Sequence, residues 1–287
     1  MKVKAKRKTS VSRTLFRFVT QAVSLAQKRC AASPTSAVSD PAGNGFPAWK
    51  HVTLHFLRIH MDATYREIVD WVSEMDRVRG LLQLARSAFP APSTLWRSFE
   101  RAPMRVWRQL LRRSAARCDP GDHGALDATF FDRQAASSHY IARSDRHIRT
   151  LKATALIDTE SCAVLDVHCS AHWPHDTQVG RRVALRNTTE IESLAGDNGY
   201  DDQSLRDALR TAGVRPVIRY RLFAHYDHAH NARLDSGLYG QRWMAETAFS
   251  VIKRRYGSAV RPRAWYREFR ALVLTAAVYN LERSIKQ

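Results

Sequence analysis

The 287-residue chain reads as an α/β protein: a mixed-sheet domain with element order βββαβαβα and a closing helix, preceded by a small all-helical region. Three observations predict this. Residues 49–118 keep helical spacing throughout. A run of turn formers, Cys118-Asp119-Pro120-Gly121-Asp122-His123-Gly124, then ends that pattern. Beyond it, short apolar runs alternate with helical ones, as strands and helices layered on one sheet require.

Lys2, Lys4, Lys6, Arg7 and Lys8 open the chain, and no acid precedes Asp40. Leu15, Phe18, Val19, Ala22, Leu25 and Ala26 follow at helical spacing, while Arg17 and Gln21 interrupt the apolar run, so an amphipathic helix fits better than a secretory signal. Residues 1–29 are thus a basic helix or arm attracted to phosphates without reading sequence, or equally a disordered or partner-binding tail. Residues 30–48, rich in Ser, Pro, Ala and Gly, read as a linker.

In the helical region at 49–118, Thr64 and Glu67 have the spacing of a capping box. After Pro90-Ala91-Pro92, Ser93 caps a second helix carrying Thr94, Arg97, Ser98 and Arg101. Two short helices with a turn between them are compatible with a DNA-binding helix-turn-helix, and also with any small helical bundle. The next helix puts Arg101, Arg105, Arg108 and Arg112 on one side, with Val106, Trp107, Leu110 and Leu111 largely elsewhere. That is either a solvated basic face or a phosphate-contacting one, and the charge of the chain favours contact.

In residues 119–287, strands are expected at 125–131, 149–158 and 162–170, then a helix near 177–187 and a strand ending at Asp197. A helix near 201–211, a strand at Val214–Tyr220, and helices at 239–256 and 264–285 complete the order. His225, His228 and His230 fall in a polar segment without cysteine partners, which reads as a solvated loop.

Asp127 sits inside the apolar and aromatic run Ala125-Leu126-Asp127-Ala128-Thr129-Phe130-Phe131, where a carboxylate is costly unless paired or bound to a cation. Asp197 ends another short strand, just before the turn Asn198-Gly199-Tyr200, at the carboxyl edge where open α/β sheets place their sites. Tyr239, Arg242, Glu246 and Lys253 share one helical stripe, within an arc of roughly 60° over about 20 Å. Beside them Ala245, Ala248, Phe249 and Ile252 form an anchoring apolar face. Such a charged ridge alone is as common on a solvated helix as at a site. The two upstream acids tip the reading, since three acids on two strands and a helix can converge on divalent cations, with Mg²⁺ suited to such oxygen ligands. Asp122, Asp132, Asp201 and Asp202 read as exposed loop carboxylates, and Trp173 and Trp243 as packed side chains.

The formal net charge of +19 and pI near 10.4 favour a polyanionic partner. No apolar run reaches transmembrane length, so nucleic acid is preferred over a membrane. Cys30, Cys118, Cys162 and Cys169 show neither paired spacing nor a zinc pattern, and reduced thiols in a cytoplasmic protein are expected.

The spacing Tyr239-x2-Arg242-x3-Glu246-x6-Lys253 resembles the Y-(2)-R-(3)-E-(6)-K signature of a branch of DDE transposases from bacterial and archaeal insertion sequences. Leu-Asp127-Ala-Thr-Phe and Gly-Asp197-Asn-Gly-Tyr look like that family's first and second acids. The resemblance spans roughly residues 50 to 285. Only 48 residues separate Asp197 from Glu246, which leaves no room for a large β-rich insertion and is most similar to the insertion-sequence-five group. The resemblance implies a ribonuclease H-like fold at 119–287 and two Mg²⁺ ions, replaceable by Mn²⁺, held about 3.5–4 Å apart by Asp127, Asp197 and Glu246. It further implies hydrolysis that exposes a 3′-OH at the element's end, followed by attack of that hydroxyl on target DNA. Arg242 and Lys253 would bind phosphates near the cut, and Tyr239 the flanking backbone. The implied partners are double-stranded DNA, as terminal inverted repeats and target, and a second copy of the chain in the DNA complex. The implied location is cytoplasmic and nucleoid-associated. Two other readings remain open: a non-catalytic DNA-binding regulator from a silenced element, and a ribonuclease H-like nuclease or resolvase.

Overall fold

The apolar stripe near the N-terminus forms α1 (Thr14–Ala32), which buries Phe18, Val19, Ala22, Leu25 and Ala26. The structure is a computed structural model that describes residues 14–32, 46–133, 150–172, 174–223, 225–234, 236–262 and 264–286. The basic arm before residue 14, linker residues 33–45 and Trp173 lie outside the described residues. Helices α2 (Ala48–His60), α3 (Tyr65–Glu74), α4 (Asp76–Leu82), α5 (Pro92–Arg101) and α6 (Met104–Ala115) follow. The buried face of α1 belongs to the same core as the buried residues of α2 to α6.

Helix α3 starts where its capping box predicts: the Glu67 amide donates to the Thr64 hydroxyl at 3.2 Å and the Thr64 amide to the Glu67 carboxylate at 2.7 Å. Helix α5 begins at Pro92, one residue ahead of the expected cap Ser93. Proline at the first helical position has φ already set and lacks only a donor that would go unpaired there. Helix α4 and residues 83–91 lie between α3 and α5, so those two helices are not joined by a single turn. Pro103 caps α6 after α5 has ended, which places Arg101 on a different helix from Arg105, Arg108 and Arg112. The prolyl ring cannot continue a helix from the preceding turn.

The sheet contains β1 (His123–Arg133), β2 (Leu151–Asp158), β3 (Val164–Ser170), β4 (Ser193–Gly196) and β5 (Arg215–Ile218), in the spatial order β3-β2-β1-β4-β5. β1–β2 and β2–β3 are antiparallel, whereas β1–β4 and β4–β5 are parallel. Helix α7 (Asp176–Leu185) connects β3 to β4, and α8 (Gln203–Thr211) connects β4 to β5. After β5 come α9 (His225–Arg233), α10 (Ser236–Gly240), α11 (Trp243–Tyr256), the two-residue β6 (Ala259–Val260) and α12 (Trp265–Ser284). β6 pairs in parallel with the end of β1.

Alternation along β1 separates two cores. Ala125 and Phe131 pack with α11, α12 and the N-terminal helices, while Leu126 packs with Leu156, Leu194 and the buried residues of α7 and α8. β2 is buried along its whole length because both faces are covered. Helix α12 carries apolar residues on nearly every side, as a helix enclosed by other elements must.

Three elements differ from expectation. The His225–His230 segment is helical, not a loop; of its residues only Asp227 is buried, so it lacks the apolar stripe that would reveal it. The helix expected at 239–256 is divided. Arg242, Met244 and Ala245 donate to the carbonyls three residues back, at Tyr239, Gln241 and Arg242, so the chain tightens to three residues per turn there. Tyr239 therefore lies on α10, and Glu246 and Lys253 on α11. Strand β6 is too short to leave a pattern.

Candidate active site

Asp127 lies on β1 with the Ala125 and Phe131 side of the strand, the side that α11 covers. In the parallel β1–β4 register Leu126 is opposite Gly196, so Asp197 follows one step beyond, beside Asp127. Neighbouring strands run about 4.8 Å apart, and matched positions present their side chains to the same face. Glu246 stands in the first turn of α11, which is seated on that face through Ala245, Ala248, Phe249 and Ile252. The sheet thus supplies two acids from adjacent strands and the covering helix supplies the third.

Burial pushes the Asp127 carboxyl up to about 6. The charges of Asp197 and Glu246 add to the rise, while the Ala128 amide, donating to Asp127 at 2.8 Å, and the Arg242 guanidinium oppose it. Asp197 accepts from the Gly199 amide at 2.8 Å. Glu246 is exposed and pairs with Arg242 at 2.8 Å. Lys253 donates to the Thr129 hydroxyl at 2.7 Å and lies over the Phe131 ring. Tyr239 stacks with Arg219, whose guanidinium is 4.2 Å from the ring centroid. Helix α10 is fastened by the His123 ring against the Leu238 carbonyl at 2.9 Å, and the turn after it by Thr159 donating to Gln241 at 2.7 Å.

The turn carrying Asp197 is equally fixed. Asp201 accepts from Arg206 and from the Arg221 amide, both at 2.7 Å, and Arg221 donates to the Asn198 carbonyl at 3.0 Å. Asp202 caps α8 through the Ser204 amide at 2.7 Å. Asp201 and Asp202 are therefore structural groups, not free loop carboxylates. Tyr200 is buried beneath the acids, with a hydroxyl that has no hydrogen-bond partner among the described residues.

The arginines expected to meet DNA divide. Arg97 and Arg105 are exposed, and Arg101 is half-buried with its Nε donating to the Arg97 carbonyl at 3.4 Å. Arg108 is half-buried, paired with Asp166 at 2.9 Å and packed over Phe269. Trp243 is 56% exposed, contrary to the packed position expected of it. His230 stacks on Tyr220 with centroids 3.7 Å apart. All four cysteines are free thiols. No helix among the described residues is long and apolar enough to cross a membrane.

Among the described residues no three acid, histidine or cysteine side chains lie close enough together to hold a metal ion. The donor chemistry nevertheless fits a divalent cation: Asp127, Asp197 and Glu246 offer hard carboxylate oxygens, the charges of the other two reach Asp127, and Asp127 is ionised at a cost that a cation would relieve. Sequence spacing pointed to the acids and to Lys253. It missed Thr129, Tyr200 and Arg219. Thr129 was accessible in principle, since it stands two residues from Asp127 and so shares its face of the strand.

A family model described as the transposase DDE domain matches residues 119–281. No curated protein matches the chain. Among solved structures, the fold is similar to that in the cryo-EM structure of a piggyBac transposase synaptic complex with hairpin DNA, at a TM-score of 0.50 and 10% identity. That likeness covers 96% of this chain and 75% of the other.

Proposed function

Because the chain belongs to the transposase DDE domain family, we propose that it cuts DNA at the ends of a mobile element and joins the resulting 3′-OH to target DNA. The observation that carries this reading is the neighbouring of Asp127, within β1, and Asp197, just past the end of the parallel strand β4, with Glu246 on the helix that covers that face. Asp127, Asp197 and Glu246 would hold the divalent ions, Mg²⁺ or Mn²⁺, which when bound supply Lewis acidity toward the phosphate and an acidified water.

In the cleavage step a water oxygen bonds to phosphorus and the bond from phosphorus to the 3′-oxygen breaks, with one water proton completing the new 3′-hydroxyl and the other passing to solvent. In the joining step that hydroxyl bonds to a phosphorus of target DNA, and the target's 3′-oxygen leaves and takes up the proton the hydroxyl gives up. Lys253, fixed by Thr129 on the strand of Asp127, points a cation along the path of the scissile strand and orients its phosphate. Arg242 is positioned to exchange Glu246 for a phosphate oxygen. Tyr239, with Arg219 stacked on it, offers a flat cationic surface to the flanking backbone. The exposed Arg97 and Arg105, with Arg101, add sequence-independent attraction. Concerted joining of two ends requires two sites, so a dimer on DNA is part of the proposal.

The test is cleavage of labelled DNA bearing the element's ends, with Mg²⁺ or Mn²⁺, by wild type and Glu246→Gln. Metal-dependent nicking that disappears in the variant while DNA binding persists is the expected result. A wild type that binds the ends and never nicks them would leave a DNA-binding regulator, and cutting of branched or hybrid substrates without joining would leave a nuclease.

A further inference from the structure

Asp197 lies one residue past the end of β4, so the sheet does not itself fix the carboxylate. The turn at Asn198–Tyr200 does. The Gly199 amide donates to Asp197 Oδ1 at 2.8 Å, and a Cβ at Gly199 would stand 2.8 Å from the same oxygen. The acid is thus packed flush against its turn, with one oxygen committed and the other left for a cation. Wherever the turn moves, the carboxylate moves with it.

One buried side chain holds that turn. Arg206, on α8, is 2% exposed. Its Nη1 donates to Asp201 Oδ1 at 2.7 Å, while its Nη2 donates to the carbonyls of Ile218 at 3.2 Å and Arg219 at 3.3 Å, where β5 ends. The Tyr220 ring lies against the guanidinium at 3.9 Å. Tyr220 is itself pinned by the His230 ring and by Asn231, whose side chain exchanges two hydrogen bonds with the Tyr220 backbone at 2.9 and 3.0 Å. The turn after β4 is therefore tied to the exit of the neighbouring parallel strand β5 through a single guanidinium. Apolar residues of equal volume are often as stabilising as a buried ion pair. What arginine alone supplies is a planar fork that serves several acceptors in set directions at once.

Resting on the reading of Asp197 as a metal ligand, we propose that Arg206 is the positioning residue of the second acid. It clamps Asp201, and with it the turn that carries Asp197, against the end of β5, which keeps the Asp197 carboxylate beside Asp127. Arg206 acts only through Asp201 and the strand carbonyls and is too buried to meet DNA or metal. A lysine ammonium is a point charge without the fork, so it cannot hold Asp201 and both carbonyls in one plane. Asn in place of Asp201 has one acceptor oxygen where the carboxylate uses two, one for Arg206 and one for the Arg221 amide.

The test reads metal binding apart from cutting. The whole chain, without DNA, is melted across Mg²⁺ and Mn²⁺ titrations, and the half-saturating concentration is compared among wild type, Arg206→Lys, Asp201→Asn, Asp197→Asn and Arg108→Ala. Arg206→Lys and Asp201→Asn should each raise it by about 10- to 100-fold, the usual cost of losing a group that orients a metal ligand. Arg108→Ala breaks the Asp166 pair between α6 and β3, so it should lower the melting temperature and keep the wild-type metal response. A wild-type metal response in either Arg206→Lys or Asp201→Asn overturns the proposal, as does an equal rise in Arg108→Ala, which would make the effect one of stability alone. If Arg206→Lys does not fold, Asp201→Asn alone decides. Loss of the response in Asp197→Asn keeps the metal-ligand reading whatever the two clamp variants show. A wild type that responds to neither metal, or a response that survives Asp197→Asn, overturns that reading and the proposal together.

Discussion

At the scale of single residues, Asp127 is held in a form that opposes folding. Its carboxyl is raised from 3.8 to about 6 chiefly by burial, so the folded protein binds its proton more tightly than the unfolded chain does. Stability therefore falls as pH rises through this window, and the full penalty applies above about pH 6. Asp127→Asn should raise the melting temperature of the metal-free protein at pH 7, by a stabilisation of up to about 3 kcal/mol. The gain should shrink toward zero as pH falls toward 4, and Mg²⁺ should stabilise wild type but not the variant. A melting series against pH, with and without metal, checks both points, and a variant no more stable than wild type at pH 7 contradicts the assignment. Asp127 and Asp197 stood out as candidates because one interrupts and the other ends an apolar run, and Glu246 because of its helical spacing from Arg242 and Lys253. Thr129 and Tyr200 did not, because a hydroxyl gains a role only from the partner that folding brings to it.

At the scale of elements, α7 is pressed so closely against the sheet that its Gly180 has no room for a side chain. A Cβ there would stand 2.5 Å from the Tyr200 ring and 2.8 Å from Leu126. Gly180→Ala should cost about 1–3 kcal/mol and, because Tyr200 and Leu126 flank the two strand acids, should slow cleavage more than it weakens DNA binding. Thermal melting and single-turnover cleavage measure the two effects, and an Ala variant with wild-type values for both would show that the helix yields freely. Elements with long apolar runs, such as β1, β2 and α12, were readable from sequence. Helix α9 was not, since a helix polar on nearly every side looks like a loop. The break between α10 and α11 was hidden as well, because hydrogen bonds three residues back leave no mark on an apolar stripe. Pro103 was a readable breaker of the arginine row, and its effect on Arg101 follows from the ring alone.

At the scale of the whole molecule, a net charge of +19 makes ionic strength the main lever on DNA affinity. Replacing exposed Arg97 or Arg105 by Ala should lower the slope of log affinity against log salt by about 1 each if each meets a phosphate. Arg108→Ala should leave the slope unchanged and lower the melting temperature, because it strips the buried Asp166 of a partner. Salt titrations of the three variants separate free surface cations from one held in an ion pair, and an unchanged slope for Arg97 and Arg105 would remove them from the interface. The Arg242–Glu246 pair has a wider consequence. A phosphate that draws Arg242 away releases Glu246 for a cation, and a cation that takes Glu246 releases Arg242 for a phosphate. Thermodynamic reciprocity then makes each ligand tighten the other by the same factor, typically about 5- to 150-fold. Metal titration with and without uncleavable DNA should show this coupling, and Arg242→Gln should erase it. The pair would act as an AND gate: free metal alone leaves the chemistry switched off, and the nick is made only where a correctly seated strand supplies the second input.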